Sequence, residues 1–304
     1  MDAVNVTPRV SAYLVDASLY VFRAWHSIPP DFTNRDGHPV NAVHGFTRFL
    51  LDLLERVGPT HVAVCFDESL TTSFRNGIYP HYKANRELPP AELVRQFAYC
   101  REVAAALGMT VLSDTQFEAD DLIGSAAAVL QGHDCTSVIV SADKDFGQLI
   151  CERVEQWDFS RDLRWNAHGI KQKLGVHPHQ VADFLALMGD AIDNIPGIPG
   201  IGAKTAAILL AHFETLDALL TRSEEVAFLR MRGAATVSRK LREHAELARL
   251  SRQLTGIALH APVPTALNDY GRRNPDDERV GSLFDDLRLG PMTRARVRAL
   301  APMA

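Results

Sequence analysis

Short apolar runs alternate with longer stretches of helical periodicity through the first half of the chain. Four apolar runs predict short buried strands: Val10–Val15, His61–Phe66, Met109–Leu112 and Ser137–Val140. Three periodic stretches predict helices between them: Ala42–Val57, Ala91–Leu107 and Ala119–Leu130. Alternation of this kind predicts an α/β class with a mostly parallel sheet flanked by helices.

The pattern changes near residue 170. Val154–Asp158 and Leu163–Trp165 predict a hairpin at the sheet edge, and the segments from Pro178 onward are helical, interrupted by the Gly/Pro run 189–202. We therefore expect a loose tail over residues 1–9, an α/β domain over 10–175 and a helical domain over 176–260. Residues 261–304 are expected to pack back on the α/β domain.

Composition and charge narrow the class of protein. The 304 residues carry 32 Lys and Arg against 37 Asp and Glu, a formal net charge of -5. This balance argues against a protein that coats nucleic acid non-specifically, but it allows a local basic track.

The four cysteines lie far apart, which indicates free thiols in a reducing, cytoplasmic compartment. No run approaches the roughly 20 apolar residues that would span a membrane.

Carboxylates follow the predicted strands. Asp16, Asp67 and Asp143 each end a strand, and Asp145 comes two residues later. Because ligands bind at the carboxyl ends of parallel strands, these side chains should converge on one crevice. Further acids occur where a helix begins and in the run Gly189–Asn194: Glu118, Asp120, Asp121, Asp190 and Asp193. Each alone could be a helix cap or a turn former.

Crowded carboxylates need cations. Two like charges 4 Å apart cost about 4 kcal/mol at an effective dielectric constant of 20. Oxygen ligands of this kind suit Mg²⁺ or Mn²⁺. Two such ions about 3.5–4 Å apart can activate a water and stabilise the leaving oxygen in phosphodiester hydrolysis. No Ser–His or Cys–His pair is evident, and the metal chemistry requires none.

A Gly/Pro run leads into the helix predicted over Ala203–His212. It is not a nucleotide P-loop, because Ala203 separates Gly202 from Lys204 and no strand precedes it, so no nucleotide cofactor is expected. A helix–hairpin–helix element fits better, with glycines that let the backbone approach a DNA phosphate. The contact residues would be Gly197, Gly200, Gly202, Lys204 and Thr205. Hairpin carbonyls could also hold K⁺; an ordinary Gly/Pro turn is the alternative.

A basic, aromatic segment lies between the second predicted strand and the helix at Ala91. Arg75, Lys83 and Arg86 could grip phosphates, and Tyr82 could stack on an unpaired base. A charged surface loop is the alternative, and the position beside the acids favours the functional interpretation.

Six ordered motifs together carry a specific resemblance. They are LVDAS, FDES, FR…YKANR, FEADDLIG, SADKDFGQL and GDAIDNIPGIPGIGAKTA. They resemble the motifs of the 5′-nuclease (flap endonuclease) superfamily, most nearly the bacterial 5′–3′ exonuclease type that includes the N-terminal domain of DNA polymerase I. The similarity runs from about residue 11 to about residue 290.

The resemblance implies a PIN-like domain followed by a helix–three-turn–helix DNA-binding domain. It implies that a first metal is held by five acids, with Asp121 alongside: Asp16, Asp67, Glu118, Asp120 and Asp143. It assigns Asp145, Asp190 and Asp193 to a second metal. Lys83 and Arg86 would position and polarise the scissile phosphate at the base of a helical arch near residues 84–99, formed by Glu87–Tyr99. Ala17 and Ala191–Ile192 depart from the usual motifs without removing a ligand.

We therefore expect a Mg²⁺- or Mn²⁺-dependent, monomeric 5′ nuclease acting on DNA with 5′ ends, flaps or branches, in replication or repair. No polymerase follows in the chain, so a free-standing nuclease is expected. Two alternatives stay open: a non-catalytic branched-DNA binding protein of the same fold, and a nuclease acting mainly on RNA primers. The sequence does not decide between exonuclease and flap endonuclease activity.

Overall fold

The computed structural model describes residues 10–68, 71–300 and 302–303. The predicted tail over residues 1–9 lies outside the described residues. The chain divides into two compact units. The first unit comprises the described residues of Met1–Glu68, Pro89–Ala142 and Ala258–Ala304, and the second those of Ser69–Leu88 and Asp143–Ile257.

The first unit is built on a parallel sheet. Its strands are β1 (Ser11–Asp16), β2 (His61–Asp67), β3 (Thr110–Asp114) and β4 (Thr136–Val140), in the order β3-β2-β1-β4. Their apolar interiors are buried, as expected for strands covered on both faces. The second unit contains the antiparallel pair β5 (Val154–Asp158) and β6 (Leu163–Trp165), which forms the predicted hairpin.

Helices make up most of the remaining described structure. In chain order they are α1 (Ala17–Ser27), α2 (Asn41–Val57), α3 (Phe74–Ile78), α4 (Ala91–Ala106), α5 (Ala119–Gly132), α6 (Ala167–Leu174), α7 (Val181–Met188), α8 (Ala203–Phe213), α9 (Leu216–Thr221), α10 (Ala234–Glu243), α11 (Ala245–Thr255), α12 (Asp277–Asp286) and α13 (Pro291–Ala299). Helices α6 to α11 belong to the second unit, and α7 packs against α11. The predicted fold class, a mostly parallel α/β sheet with a helical portion after it, is confirmed.

The start of α2 depends on a side chain from another helix. Helix α2 has no side-chain cap of its own. Gln96 of α4 supplies one, because its Oε1 accepts hydrogen bonds from the Ala42 amide at 2.7 Å and the Val43 amide at 3.3 Å. At the other end Gly58 adopts a left-handed conformation and closes the helix. These contacts fix α2 against α4 within the first unit.

The arch predicted over Glu87–Tyr99 differs from the structure. Residues 87–90 are not helical, and α4 begins only at Ala91. Pro89 and Pro90 explain the boundary, since a residue before proline is disfavoured in the α conformation. From Ala91 onward the helix packs in the first unit, with Leu93 buried and Phe97 in edge contact with Phe22 at 5.4 Å between ring centroids. Among the described residues, no helix is long and apolar enough to cross a membrane.

Candidate active site

Acidic side chains gather at the carboxyl end of the sheet in the first unit. We call them the first carboxylate cluster: Asp16, Asp67, Glu118, Asp120 and Asp121. Asp16 ends β1, and its Oδ2 accepts a hydrogen bond from Ser141 Oγ at 2.8 Å. Asp67 ends β2, and its Oδ1 accepts from the Ala119 amide at 2.9 Å, which ties this strand to the start of α5.

The thiol of Cys65 lies within the electrostatic influence of the first carboxylate cluster. Burial raises its pKa well above the ordinary value, and the negative charges of three acids raise it further. Those acids are Asp16, Asp67 and Asp120. Three members of the cluster therefore act on one buried group of β2.

Asp121 has a structural role within this cluster. It is fully buried, and its Oδ2 accepts from the Glu118 amide at 3.1 Å in a capping box at the start of α5. Its Oδ1 accepts from the Ala258 amide at 2.8 Å. Backbone amides thus occupy both oxygens of a side chain that the sequence placed among the metal ligands.

The second unit holds a separate group of acids, the second carboxylate cluster: Asp143, Asp145, Asp190 and Asp193. Asp143 caps the 3₁₀ helix Lys144–Leu149 by accepting from the Asp145 amide at 3.0 Å. Asp190 caps its own loop, since its Oδ1 accepts from the Ile192 amide at 2.8 Å. The Lys144 ammonium lies 2.6 Å from Asp190 Oδ2 and 3.3 Å from Asp145 Oδ1.

The pKa values of this cluster reflect its crowding. Burial, followed by the charge of Asp143, raises the pKa of Asp145 to about 7, and Asp190 and Asp193 contribute in the same direction. Burial also acts to raise the pKa of Asp190, but the hydrogen bond and charge of Lys144 outweigh it, so that this pKa is lowered. The cluster is therefore one electrostatic system in which Lys144 is a principal counter-charge.

The basic segment is bound to the loop that carries Asp193. Arg86 donates to Asp193 Oδ1, and Lys83 Nζ lies 3.9 Å from Asp193 Oδ2. The Lys83 amide also donates to the carbonyl of Asp193 at 3.0 Å. Asn85 Nδ2 donates to the Ala191 carbonyl at 2.8 Å, which adds a second tie between the same segments. The predicted phosphate-binding cations and a predicted metal ligand are thus in direct contact.

Arg75 and Tyr82 are not surface residues, in contrast to the contacts expected of them. The Arg75 guanidinium is buried and donates to the carbonyls of Leu254 at 2.9 Å and Gly256 at 2.7 Å. Tyr82 is 3% exposed and belongs to a small apolar cluster with Ile195 and Leu254. Both side chains fasten the basic segment to the second unit, so neither is available to a phosphate or an unpaired base in this arrangement.

The Gly/Pro run forms a tight hairpin before α8. Gly197 and Gly200 have positive φ angles of 62° and 78°, a conformation that favours glycine. Gly202 directly precedes α8 and offers no side chain over its amino end, where Lys204 is exposed and Thr205 partly buried. Lys240 Nζ donates to the Pro199 carbonyl at 2.8 Å and holds the hairpin from α10.

The chemistry of these side chains fits hard divalent cations. In the part of the chain that the structure describes, no three His, Cys, Asp or Glu side chains converge as ligands of one ion. The donors are nevertheless all carboxylate oxygens, and the buried Oδ1 of Asp145 makes an ion pair with Lys144 at 3.3 Å but no hydrogen bond. The Lys144 ammonium lies close to a carboxylate oxygen of Asp145 and to one of Asp190. Such donors suit Mg²⁺ or Mn²⁺.

Comparison with known proteins identifies the class of protein. Residues 11–175 match the family model described as 5′–3′ exonuclease, N-terminal resolvase-like domain. Residues 176–278 match the model described as 5′–3′ exonuclease, C-terminal SAM fold. These matches define a nuclease, a hydrolase of phosphodiester bonds. The chain belongs to the 5′–3′ exonuclease family, and the resemblance drawn from its motifs is confirmed.

Sequence relatives and solved structures agree with this assignment. The chain is 39% identical over 263 residues to DNA polymerase I of Rhizobium leguminosarum, covering 84% of this chain and 25% of that protein. It is 37% identical over 279 residues to DNA polymerase I of Mycobacterium tuberculosis, covering 90% of this chain and 30% of that protein. The chain therefore spans about a quarter to a third of the length of these curated relatives.

Two solved structures share the fold. A structure of bacteriophage T5 5′-exonuclease with bound zinc ions superposes with a TM-score of 0.66 at 18% identity, covering 91% of this chain and 99% of that one. The catalytic core of Rad2 in complex with a DNA substrate superposes with a TM-score of 0.63 at 12% identity, covering 96% of this chain and 92% of that one. At these identities the likeness establishes the fold alone.

Several residues that contact the proposed site residues were not identified as functional from the sequence. Ser141 donates to Asp16, Lys144 contacts Asp145 and Asp190, and Asn85 ties the basic segment to the acidic loop. In the SADKD motif, Lys144 directly follows Asp143 and Ser141 precedes it by two residues. That position was an available signal, because side chains next to a strand-terminal carboxylate share its edge of the sheet.

Proposed function

We propose that this chain is a divalent-metal-dependent 5′–3′ exonuclease and 5′ flap endonuclease that hydrolyses phosphodiester bonds in DNA during replication or repair. The observation that carries the proposal is the direct contact of a basic segment with the second carboxylate cluster, through Lys83, Arg86 and Asp193. A nuclease that uses metal ions needs both groups, since carboxylates hold the cations and side-chain cations bind phosphate.

Each carboxylate cluster supplies proposed metal ligands of its own. They are Asp16, Asp67, Glu118 and Asp120 from the first cluster, and Asp143, Asp145, Asp190 and Asp193 from the second. Asp121 is fully buried and accepts backbone hydrogen bonds at both oxygens, so we assign it to positioning its neighbours rather than to direct ligation. When bound, Mg²⁺ or Mn²⁺ would supply an activated water and stabilise charge on the leaving oxygen. The T5 5′-exonuclease, which shares the fold, has been solved with divalent metal ions, which supports this assignment.

Lys83 and Arg86 are the proposed catalytic cations. The Arg86 side chain is 34% exposed, so a phosphate can reach its guanidinium. The Lys83 side chain is only 9% exposed, and its cation would act at short range on a phosphate that has already entered. Both cations would stabilise the charge that develops on the scissile phosphate, where a preorganised donor is worth on the order of 10²–10³ in rate.

The hairpin before α8 is the proposed grip on duplex DNA. Gly202 leaves the amino end of α8 uncovered, and Lys204 adds an exposed positive charge next to it. Backbone amides at a helix N-terminus bind phosphate well. Such contacts release counterions, so binding should weaken steeply with salt. A K⁺ ion held by hairpin carbonyls stays a prediction, as does a monomeric state.

Substrate choice tests the proposal. Duplexes with a 5′ DNA flap, a 3′ DNA flap or a 5′ RNA flap would each be labelled on the flap strand and incubated with Mg²⁺, Mn²⁺ or EDTA. The proposal predicts metal-dependent cleavage of the 5′ DNA flap and none of the 3′ flap. Faster cleavage of the RNA flap would instead identify an RNA-primer nuclease. Tight binding of every duplex without cleavage would identify a branched-DNA binding protein.

A further inference from the structure

Lys144 is the ammonium of the second carboxylate cluster. It lies between two proposed metal ligands in sequence, Asp143 and Asp145, at the first position of a 3₁₀ helix. Its Nζ reaches across to a third, with 2.6 Å to Asp190 Oδ2, while Asp145 Oδ1 lies 3.3 Å away. One side chain therefore bridges two acids that are 45 residues apart, using the oxygens that a metal would need.

The contact is strong and partly shielded from water. The Asp190 side chain is 8% exposed and that of Lys144 is 31% exposed. Charge-assisted hydrogen bonds of this length are roughly twice as strong as neutral ones. Of the other two acids of the cluster, Asp193 is paired with Arg86 and Lys83. Lys144 is thus the principal counter-charge for Asp145 and Asp190.

We propose that Lys144 is a tethered cation that competes with divalent metal for Asp145 and Asp190 and is displaced when the metal binds. The inference rests on the proposed function, in which these two acids are metal ligands. A lysine suits the task because its ammonium is a point charge on a flexible stem and can leave for solvent without moving the backbone. A ligand that must displace a competitor binds with reduced apparent affinity. Lys144 therefore sets the metal concentration at which this cluster fills.

Metal binding without DNA tests the competition directly. Free Mn²⁺ would be measured by electron paramagnetic resonance during titration of the full chain. Lys144→Met removes the charge and keeps the length of the side chain, so it should bind Mn²⁺ on the order of tenfold more tightly than the parent, the effect of losing one charge-assisted contact. Lys144→Arg keeps a cation and should bind less tightly than Lys144→Met. Lys171→Met, which removes an exposed lysine elsewhere in the second unit, controls for net charge.

A second variant locates the competition. The gain in Mn²⁺ affinity from Lys144→Met should shrink in an Asp190→Asn background, because one of the two contested carboxylates is gone. Melting in EDTA provides a readout that needs no metal. In EDTA, Lys144→Met should melt below the parent, because Asp145 and Asp190 lose their counter-charge. When Mn²⁺ replaces EDTA, the melting temperature of the variant should rise by more than that of the parent. Lys144→Gln serves as the neutral replacement if the methionine variant does not fold.

The outcomes separate this inference from the proposed function. Mn²⁺ affinity that is unchanged or weaker in a folded Lys144→Met variant would overturn the competition, and would make Lys144 a residue that preorganises the ligands. No Mn²⁺ binding by the parent chain would overturn the proposed metal centre itself.

Discussion

The Arg86 guanidinium and the Asp193 carboxylate form an ion pair between segments that lie 107 residues apart in sequence. Lys83 approaches the same carboxylate, with 3.9 Å between Nζ and Oδ2. The groups proposed for phosphate binding and for metal binding are therefore joined before any substrate is present. A change at one of them should be measured for its effect on both DNA and metal.

Loss of the Arg86 cation should impair chemistry more than stability. We expect Arg86→Ala to lower the single-turnover cleavage rate by about 10²-fold, because a preorganised charge at the scissile phosphate is removed. The free energy of unfolding should change little, since the side chain is partly exposed. Arg35→Ala, which removes an exposed ion pair with Asp285, is the control and should cleave normally. A rate within about threefold of the parent would exclude Arg86 from the catalytic step.

Loss of Arg75 should act in the opposite way. Arg75→Ala leaves the carbonyls of Leu254 and Gly256 without their buried donor, so we expect a loss of about 2–4 kcal/mol in the free energy of unfolding. Arg75→Lys should also destabilise, because an ammonium cannot reproduce the forked geometry. Urea unfolding measures both variants, and Arg222→Ala, at an exposed ion pair, should be neutral. Full stability together with weakened DNA binding would instead indicate a phosphate contact.

Two glycines of the hairpin should separate folding from DNA binding. A Cβ at Gly197 would lie 2.3 Å from the Gly189 amide nitrogen, and φ is 62°, so Gly197→Ala should destabilise the protein by about 2 kcal/mol or more. A Cβ at Gly202 meets nothing within 4 Å. Gly202→Ala should therefore keep its stability while losing affinity for duplex DNA, measured by fluorescence anisotropy. Unchanged affinity would remove the amino end of α8 from the proposed DNA interface.

Acid should weaken the first unit through His44. Burial lowers the pKa of this histidine, which contacts the Leu287 carbonyl through Nε2 at 3.2 Å. Below the unfolded pKa near 6.5, the unfolded chain binds a proton that the folded chain resists, so stability falls as pH decreases toward the lowered folded pKa. The melting temperature in EDTA should drop less between pH 8 and pH 5 for His44→Gln than for the parent. An equal drop in both proteins would contradict a buried, neutral His44.

The sequence predicted the sheet and the acids at its edge for a clear physical reason. Strands buried on both faces are short continuous apolar runs, and their polar ends are visible as single residues such as Asp16 and Asp67. Chain order and the parallel arrangement then bring these residues to one edge. Six ordered motifs added the family, which the family models confirm.

What the sequence did not reveal depends on partners far along the chain. Arg75 and Tyr82 lie in a segment without regular periodicity, and their burial comes from Leu254 and Ile195, which no local pattern connects to them. Asp121 accepts from the Ala258 amide, which is 137 residues away, so no local pattern pointed to this hydrogen bond. The start of α4 at Ala91 is different, because the neighbouring Pro89 and Pro90 mark this boundary in the local sequence.

The most direct test of the central claim uses a duplex with a 5′-end-labelled flap, assayed with Mg²⁺ and with EDTA for the parent chain and for Asp143→Asn. We predict Mg²⁺-dependent release of short 5′ products by the parent and none by the variant. The variant should also melt in EDTA at or above the parent temperature, because one repelling charge near Asp145 is gone and an asparagine can still accept from the Asp145 amide. Cleavage by Asp143→Asn at the parent rate, or cleavage by the parent in EDTA, would contradict a metal-dependent nuclease built on these carboxylates.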